Sequence, residues 1–378
     1  MGFAAVNRRA FIAGAAFTAA LAATPTIAKK NNHPLVVNAL GGLWNPNGGP
    51  PGEDDIASYV LDPRALADAR AANIGAINLT LGHVFGEGDA FADTIDDLAW
   101  WNEAARRNAG KVMLVRSARD IPEANAAGRV GLIFGFQNSE MFGGDAARAR
   151  LFKDLGVRVV QLTYNLQSAA GAGALVPENT GLTEFGRTLV GALNDQRLLV
   201  DLSHAGEKST MDALETSRAP IAITHTGCAA LSPHPRNKTD AELRALADKG
   251  GVMGVYFMPY LTPGRQHMAA DIVAHIEHAI NVCGEDHVGI GTDGMATAID
   301  DMPGFLKAHR EDIARRAALG VGAPNEDPDI ITVPPDLMGP TQFERLADML
   351  SVNGHSDARI EKVMSGNFLR LFGEVWGG

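Results

Sequence analysis

The sequence predicts an α/β fold: a single (β/α)8 TIM-like barrel. Three observations carry that expectation. Apolar, β-rich runs recur along the chain with helical segments between them, the alternation that a parallel sheet requires. Most of the runs are continuous rather than alternating, as strands buried on both faces should be. Two successive runs end in histidine: Leu198-Leu199-Val200-Asp201-Leu202-Ser203-His204 and Ile221-Ala222-Ile223-Thr224-His225. A parallel barrel delivers chemistry to its open face in this way, because the strand-to-helix loops begin where the strands end.

In chain order the runs cover residues 35–40, 76–81, 112–115, 130–136, 159–163, 198–202, 221–224, 251–257 and 288–291. Nine candidates for eight places predict one accessory strand, assigned to 112–115; a doubly wound open sheet is the alternative. Helical periodicity marks residues 189–194, 210–217 and 241–249, and two closing helices are read at 342–350 and 358–372. Two stretches read as loops over the barrel mouth. One is the Gly-, Pro- and Asn-rich 41–54, and the other is 302–338, with Pro334-Pro335 near its end. Long loops in a compact enzyme are usually lids or substrate-binding insertions.

The chain begins with an export-signal pattern. Asn7-Arg8-Arg9-Ala10-Phe11-Ile12 precedes a soft, Ala-rich apolar stretch too short to span a membrane. Residues 1–28 therefore read as a twin-arginine signal, residues 29–378 as one hydrolase domain, and the destination as periplasmic or secreted, without a stable membrane anchor. The formal charge of −11 becomes −13 once Arg8 and Arg9 leave with residues 1–28. That balance argues against nucleic acid and anionic membrane as partners. Two cysteines, Cys228 and Cys283, are too few for a disulfide framework and read as buried thiols.

His204 and His225 are the strongest candidates for chemistry, since imidazoles at a barrel mouth bind metal or move protons. Asp293 closes the last run, Val288-Gly289-Ile290-Gly291-Thr292-Asp293-Gly294, where a carboxylate can act as general base or metal ligand. Its competing role is that of a turn aspartate before glycine. Arg236, in the stiff Pro233-His234-Pro235-Arg236-Asn237 segment, suits two-pronged binding of a substrate carboxylate. Cys228 forms a His-x-x-Cys spacing with His225, a weak metal signal on its own. Asp201 should point away from His204 if the strand alternates regularly.

Several longer stretches resemble the membrane dipeptidase (renal dipeptidase) family of zinc peptidases. They are Leu155-Gly156-Val157-Arg158 with Gln161-Leu162-Thr163-Tyr164-Asn165, Gly181-Leu182-Thr183-Glu184-Phe185-Gly186, Asp201-Leu202-Ser203-His204, and Arg218-Ala219-Pro220 through Thr224-His225-Thr226. Arg236-Asn237, Asp286-His287-Val288-Gly289-Ile290-Gly291-Thr292-Asp293 and Gly366-Asn367-Phe368-Leu369-Arg370 complete the series. The resemblance implies a distorted (β/α)8 barrel of the metal-dependent hydrolase type, often dimeric, that cleaves dipeptides with free carboxyl ends using two zinc ions. By position it implies that His204 and His225 ligate one zinc, Arg236 holds the substrate carboxylate, and Asp293 is the acid–base. The family's His-x-Asp pair on the first strand falls on Leu40-Gly41-Gly42, its bridging glutamate on Gln137, and its substrate-polarising histidine on Tyr164. A neutral amide is a poor bridge, and Leu and Gly have no side-chain ligand at all.

The expectation is therefore an exported hydrolase that cleaves a peptide or amide bond in a small, carboxylate-bearing substrate such as a dipeptide. It would hold at most one zinc, on His204 and His225, completed by Asp293, Gln137, Cys228 or water. Tyr164 would donate to the developing oxyanion and Asp293 would take the water proton. The rivals on the same barrel are a metal-independent isomerase or lyase and a carboxylate-binding pseudoenzyme.

Overall fold

The computed structural model describes residues 34–48 and 58–377. The export-signal expectation for residues 1–28, and part of the expected loop 41–54, lie outside the described residues. Nine parallel strands follow one another: β1 Val36–Asn38, β2 Ile74–Thr80, β3 Val112–Leu114, β4 Val130–Phe136, β5 Val157–Gln161, β6 Leu199–Asp201, β7 Ala222–Thr226, β8 Val252–Val255 and β9 Val288–Ile290. β1 pairs with β2, β2 with β4, and pairing continues through β5 to β9, which returns to β1 where Asn38 faces Ile290. Eight strands close a barrel, and the open sheet is excluded.

β3 stands outside the ring for a simple reason. β2 runs along one edge of β4, from Ala76 opposite Gly131 to Thr80 opposite Gly135. The other edge is shared: β3 covers its start, with Val112 opposite Val130, and β5 covers its end, with Phe136 opposite Val160. The accessory strand expected at 112–115 is therefore present as an extra rung beside β4.

The helices α1 Pro63–Ala71, α2 Ala90–Arg107, α3 Asp120–Ala126, α4 Arg148–Asp154, α5 Glu184–Asp195, α6 Glu207–Thr216, α7 Asp240–Asp248 and α8 Ala269–Cys283 alternate with the strands. Several begin where a side-chain oxygen captures the free amides of a first turn. Asp62 accepts from Ala65 N, and Thr239 forms a reciprocal box with Glu242. The stretch 302–338 is not the loop the sequence suggested. It opens with α9, Met302–Ala318, whose only buried residue is His309. A helix exposed on nearly every face shows no apolar periodicity, which is why the pattern missed it. Near the C-terminus, α10 Gln342–Val352 is followed by α11 Asp357–Glu361, a π-helical turn Lys362–Gly366 and α12 Asn367–Trp376.

α12 closes the end of the barrel where the strands begin. Phe368, Leu371, Phe372, Val375 and Trp376 pack in one cluster with the inward-facing Val37, Ala76, Ile133, Val159, Leu199, Ala222 and Val252. Asn367 Nδ2 donates to the carbonyl of Val288, at the start of β9, and Arg370 to that of Gly250, just before β8. Gly289 makes the fit feasible, because a Cβ there would lie 2.5 Å from the Phe368 ring. Only the opposite, C-terminal face is left for a site.

Two joints in the ring are thin, β9–β1 and β6–β7. The strand pairing of β6 with β7 consists of Asp201 opposite Ala222. The buried Asp201 carboxylate makes up the difference. Oδ1 accepts from Ser203 N at 3.1 Å, Ser203 Oγ at 2.6 Å and Thr224 N at 2.9 Å, while Oδ2 accepts from Thr224 Oγ1 at 2.6 Å. Burial raises its pKa and these four bonds oppose the rise.

Two predictions follow from this packing. Gly289→Ala should cost about 1–3 kcal/mol through overpacking against Phe368, read as a lowered urea midpoint; an unchanged midpoint contradicts the close approach. Asp201→Ala strands buried donors at the β6–β7 joint and should cost about 2–5 kcal/mol, measured in the same titration. A loss below about 1 kcal/mol would show that the carboxylate does not hold the joint.

Candidate active site

The mouth is built from strand ends. His225 lies within β7, and His204 follows β6 by three residues. Both rings are buried, with Nε2 of each 2.9 Å from the other. Tyr164, just beyond β5, stacks on His204 with ring centres 4.2 Å apart and planes 21° from parallel.

Hydrogen bonds at the far nitrogens set the orientation of each ring. Asn165 donates through Nδ2 to the carbonyl of Val321 at 2.8 Å, which turns its Oδ1 toward His204 Nδ1 at 2.7 Å. His204 therefore carries a proton on Nδ1. Thr224 Oγ1 donates to Asp201 Oδ2 at 2.6 Å, so it accepts from His225 Nδ1 at 3.0 Å. Both Nε2 lone pairs then converge, and their contact requires one proton between them. Burial first, with the Arg236 and Lys238 cations adding to it, holds His225 well below the ordinary imidazole range.

Arg236 is 2% exposed. One of its nitrogens, Nη1, donates to the carbonyl of Ser203, the residue before His204. The described residues offer no acceptor to its Nε or Nη2, and no carboxylate pairs with it. The neighbouring buried cation Lys238, by contrast, is paired with Glu242 at 3.1 Å. A buried guanidinium with a single carbonyl partner is a strong anion site, since desolvation without a counter-charge is costly.

Asp293 follows β9 with a φ of 53°, a left-handed conformation unusual for a residue with a side chain. Its amide donates to the carbonyl of Leu40 at 2.9 Å, and Gly42 N donates to the carbonyl of Gly294 at 2.9 Å. The tip of β1 thus holds Asp293 by its backbone. The charges of Arg236 and Asp293 both act on the buried Tyr256, one lowering and the other raising a phenol pKa that burial already pushes far up.

Gln137 is buried just past β4, and its carbonyl accepts from Gln161 Nε2. Cys228 is a correction. Its amide donates to His275 Nδ1 at 2.9 Å and its thiol faces the His275 carbonyl at 3.5 Å, so it belongs to the packing against α8. The His-x-x-Cys spacing fails because the chain turns away after β7. Asp201 indeed avoids His204, but its contacts with Ser203 and Thr224 make it the brace of both histidine-bearing segments. Asn165 and Thr224, which orient the rings, were quoted in the sequence motifs without a role; their only signal was adjacency to the candidates.

The donor set does not fit the two-zinc centre that the resemblance implies. Leu40 and Gly42 contribute only backbone. A side chain at Gly42 would start 1.6 Å from the Trp44 indole, which occupies that space. Trp44 packs with Met295, Ile299, Val333, Met302, Phe305 and Met338. Among the described residues no group of three or more His, Cys, Asp and Glu side chains could hold a metal ion. Asp293 and Cys228 do not complete a site on the histidine pair.

Comparison with known proteins agrees with the fold. Residues 63–310 match the family model of membrane dipeptidases, Peptidase family M19. A solved amidohydrolase from Pseudomonas aeruginosa is 30% identical, with a TM-score of 0.76 over 91% of this chain and 97% of that one. A Klebsiella pneumoniae protein from the pqqA 5′ region is 28% identical over 76% of this chain and 98% of its own length. Dipeptidase tcpJ of Claviceps purpurea is 28% identical over 75% of this chain and 60% of its own length. The chain belongs to the membrane dipeptidase family.

Proposed function

We propose that this protein is an exported hydrolase that cleaves a peptide or amide bond in a small carboxylate-bearing substrate such as a dipeptide, with at most one zinc. The observation that carries the reading is Arg236, a buried guanidinium that no carboxylate among the described residues pairs with, anchored to the residue that precedes His204. A substrate carboxylate supplies the missing charge in a two-pronged contact at Nε and Nη2. The scissile carbonyl then lies over the histidine pair.

The described residues supply two imidazoles and no third ligand, so the chemistry is assigned to side chains. Asp293 accepts the proton of the attacking water. Tyr164 donates to the oxyanion as the carbonyl becomes tetrahedral, and the proton held between His204 and His225 passes to the leaving amine. The direct contact of the two imidazoles also favours a second reading, a metal-independent isomerase or lyase that uses the same pair as acid and base.

The test is a panel of dipeptides and their C-terminally amidated forms, assayed with and without added zinc. Hydrolysis of at least one free-carboxyl dipeptide is expected; none under either condition contradicts the reading. Arg236→Met should raise KM for such a substrate about 30-fold or more, equivalent to about 2 kcal/mol, and should leave amidated forms nearly unaffected. Asp293→Asn should lower kcat by about 10²–10⁴. Retained substrate affinity without turnover in the native protein would instead indicate a carboxylate-binding pseudoenzyme.

A further inference from the structure

Residues 321–326, which follow α9, touch the site at two points through backbone carbonyls. The carbonyl of Val321 accepts from Asn165 Nδ2 at 2.8 Å, and Asn165 Oδ1 holds His204 Nδ1 at 2.7 Å. The carbonyl of Pro324 accepts from His234 Nε2 at 3.0 Å, and His234 Nδ1 accepts the Arg236 amide at 3.2 Å. One short segment therefore reaches both the ring of His204 and the backbone of Arg236, each through a single intermediary.

The same segment is clamped at its far end. Glu326 accepts from the Tyr260 hydroxyl and from Arg316, whose Nε donates to Asp312 at 2.8 Å. Tyr260 stacks on His234 with ring centres 4.5 Å apart and planes 7° from parallel. Its carbonyl accepts from Ser232 Oγ at 2.8 Å and Asn237 Nδ2 at 3.0 Å. The loop that carries Arg236 and the segment that follows α9 thus share one fixed base.

We propose that Asn165 and His234 are positioning residues through which the clamped segment 321–326 sets His204 and Arg236, so that the site is assembled only when this strap is docked. An asparagine held at its amide nitrogen cannot flip, so the Val321 contact selects which nitrogen of His204 is protonated. With the Val321 carbonyl withdrawn, the Asn165 amide is free to turn and the His204 ring loses its fixed tautomer. The Pro324 contact works likewise on His234. Its Nε2 is kept as a donor, which leaves Nδ1 as the acceptor that the Arg236 amide requires.

The test uses full-length protein labelled with 15N-histidine, with the His204 signals identified by their loss in His204→Gln. Glu326→Ala removes the clamp and Asn165→Ala removes the intermediary. In Glu326→Ala, hydrogen exchange across residues 321–326 should accelerate about tenfold or more. The His204 nitrogen shifts should move toward those of Asn165→Ala, while the signals of His275 and His267 stay in place. Faster exchange with unmoved His204 shifts would overturn the coupling, and unchanged exchange would overturn the clamp. Tyr260→Phe, which deletes one hydroxyl, supplies the same two readouts if Glu326→Ala does not fold. These readouts need no substrate, so they stand apart from the hydrolytic reading. On any substrate the enzyme turns over, Asn165→Ala should lower kcat about 10–100-fold with KM changed less than threefold, and a change confined to KM would contradict a role through His204.

Discussion

The site depends on a single buried carboxylate. Asp201 occupies the sparsely paired β6–β7 joint, and its two oxygens take four donors from Ser203 and Thr224. Those residues immediately precede His204 and His225. The brace that completes the ring is thus also the frame that brings the two imidazoles to 2.9 Å. A backbone ladder alone would fix the strands and leave the side chains beyond them free to turn. A carboxylate at the strand end fixes both, because its oxygens accept from the backbone amides and the hydroxyls of Ser203 and Thr224 alike.

The opposite wall of the mouth has been rebuilt in neutral and apolar material. Leu40 and Gly42 have no ligating side chain and instead hold the backbone of Asp293 and Gly294. Trp44 fills the space beside Gly42 and belongs to an apolar cluster that includes Met302 and Phe305 of α9. The insertion after β9 therefore serves this side by packing and the other side by the carbonyls of Val321 and Pro324. The polar side chains Arg236, His204, His225 and Tyr164 lie on one half of the mouth, while Leu40, Gly42 and Trp44 line the other.

Much of the barrel was legible in the sequence, because its strands are buried on both faces and stand out as continuous apolar runs. The accessory strand was legible by counting, since nine runs cannot occupy eight places. α9 was not, because an exposed helix carries no apolar stripe. Within the site, His204, His225, Arg236 and Asp293 were readable from their places after strands. Asn165, Thr224 and His234 were not, because a residue that orients another has no spacing of its own and is revealed only by distance. Cys228 shows the converse: its spacing to His225 was suggestive, yet the turn after β7 carries it to His275. Trp44 was invisible for the same reason, as only the fold shows that its ring takes the place of a side chain at Gly42.

Whether this member of the family lacks a two-zinc centre is decided by its metal content. Zinc per chain is measured by elemental analysis after incubation with excess zinc and removal of the unbound metal. One zinc or fewer per chain is expected, since the described residues bring two imidazoles and no bridging carboxylate together. Two zinc ions per chain, retained through desalting, would contradict it.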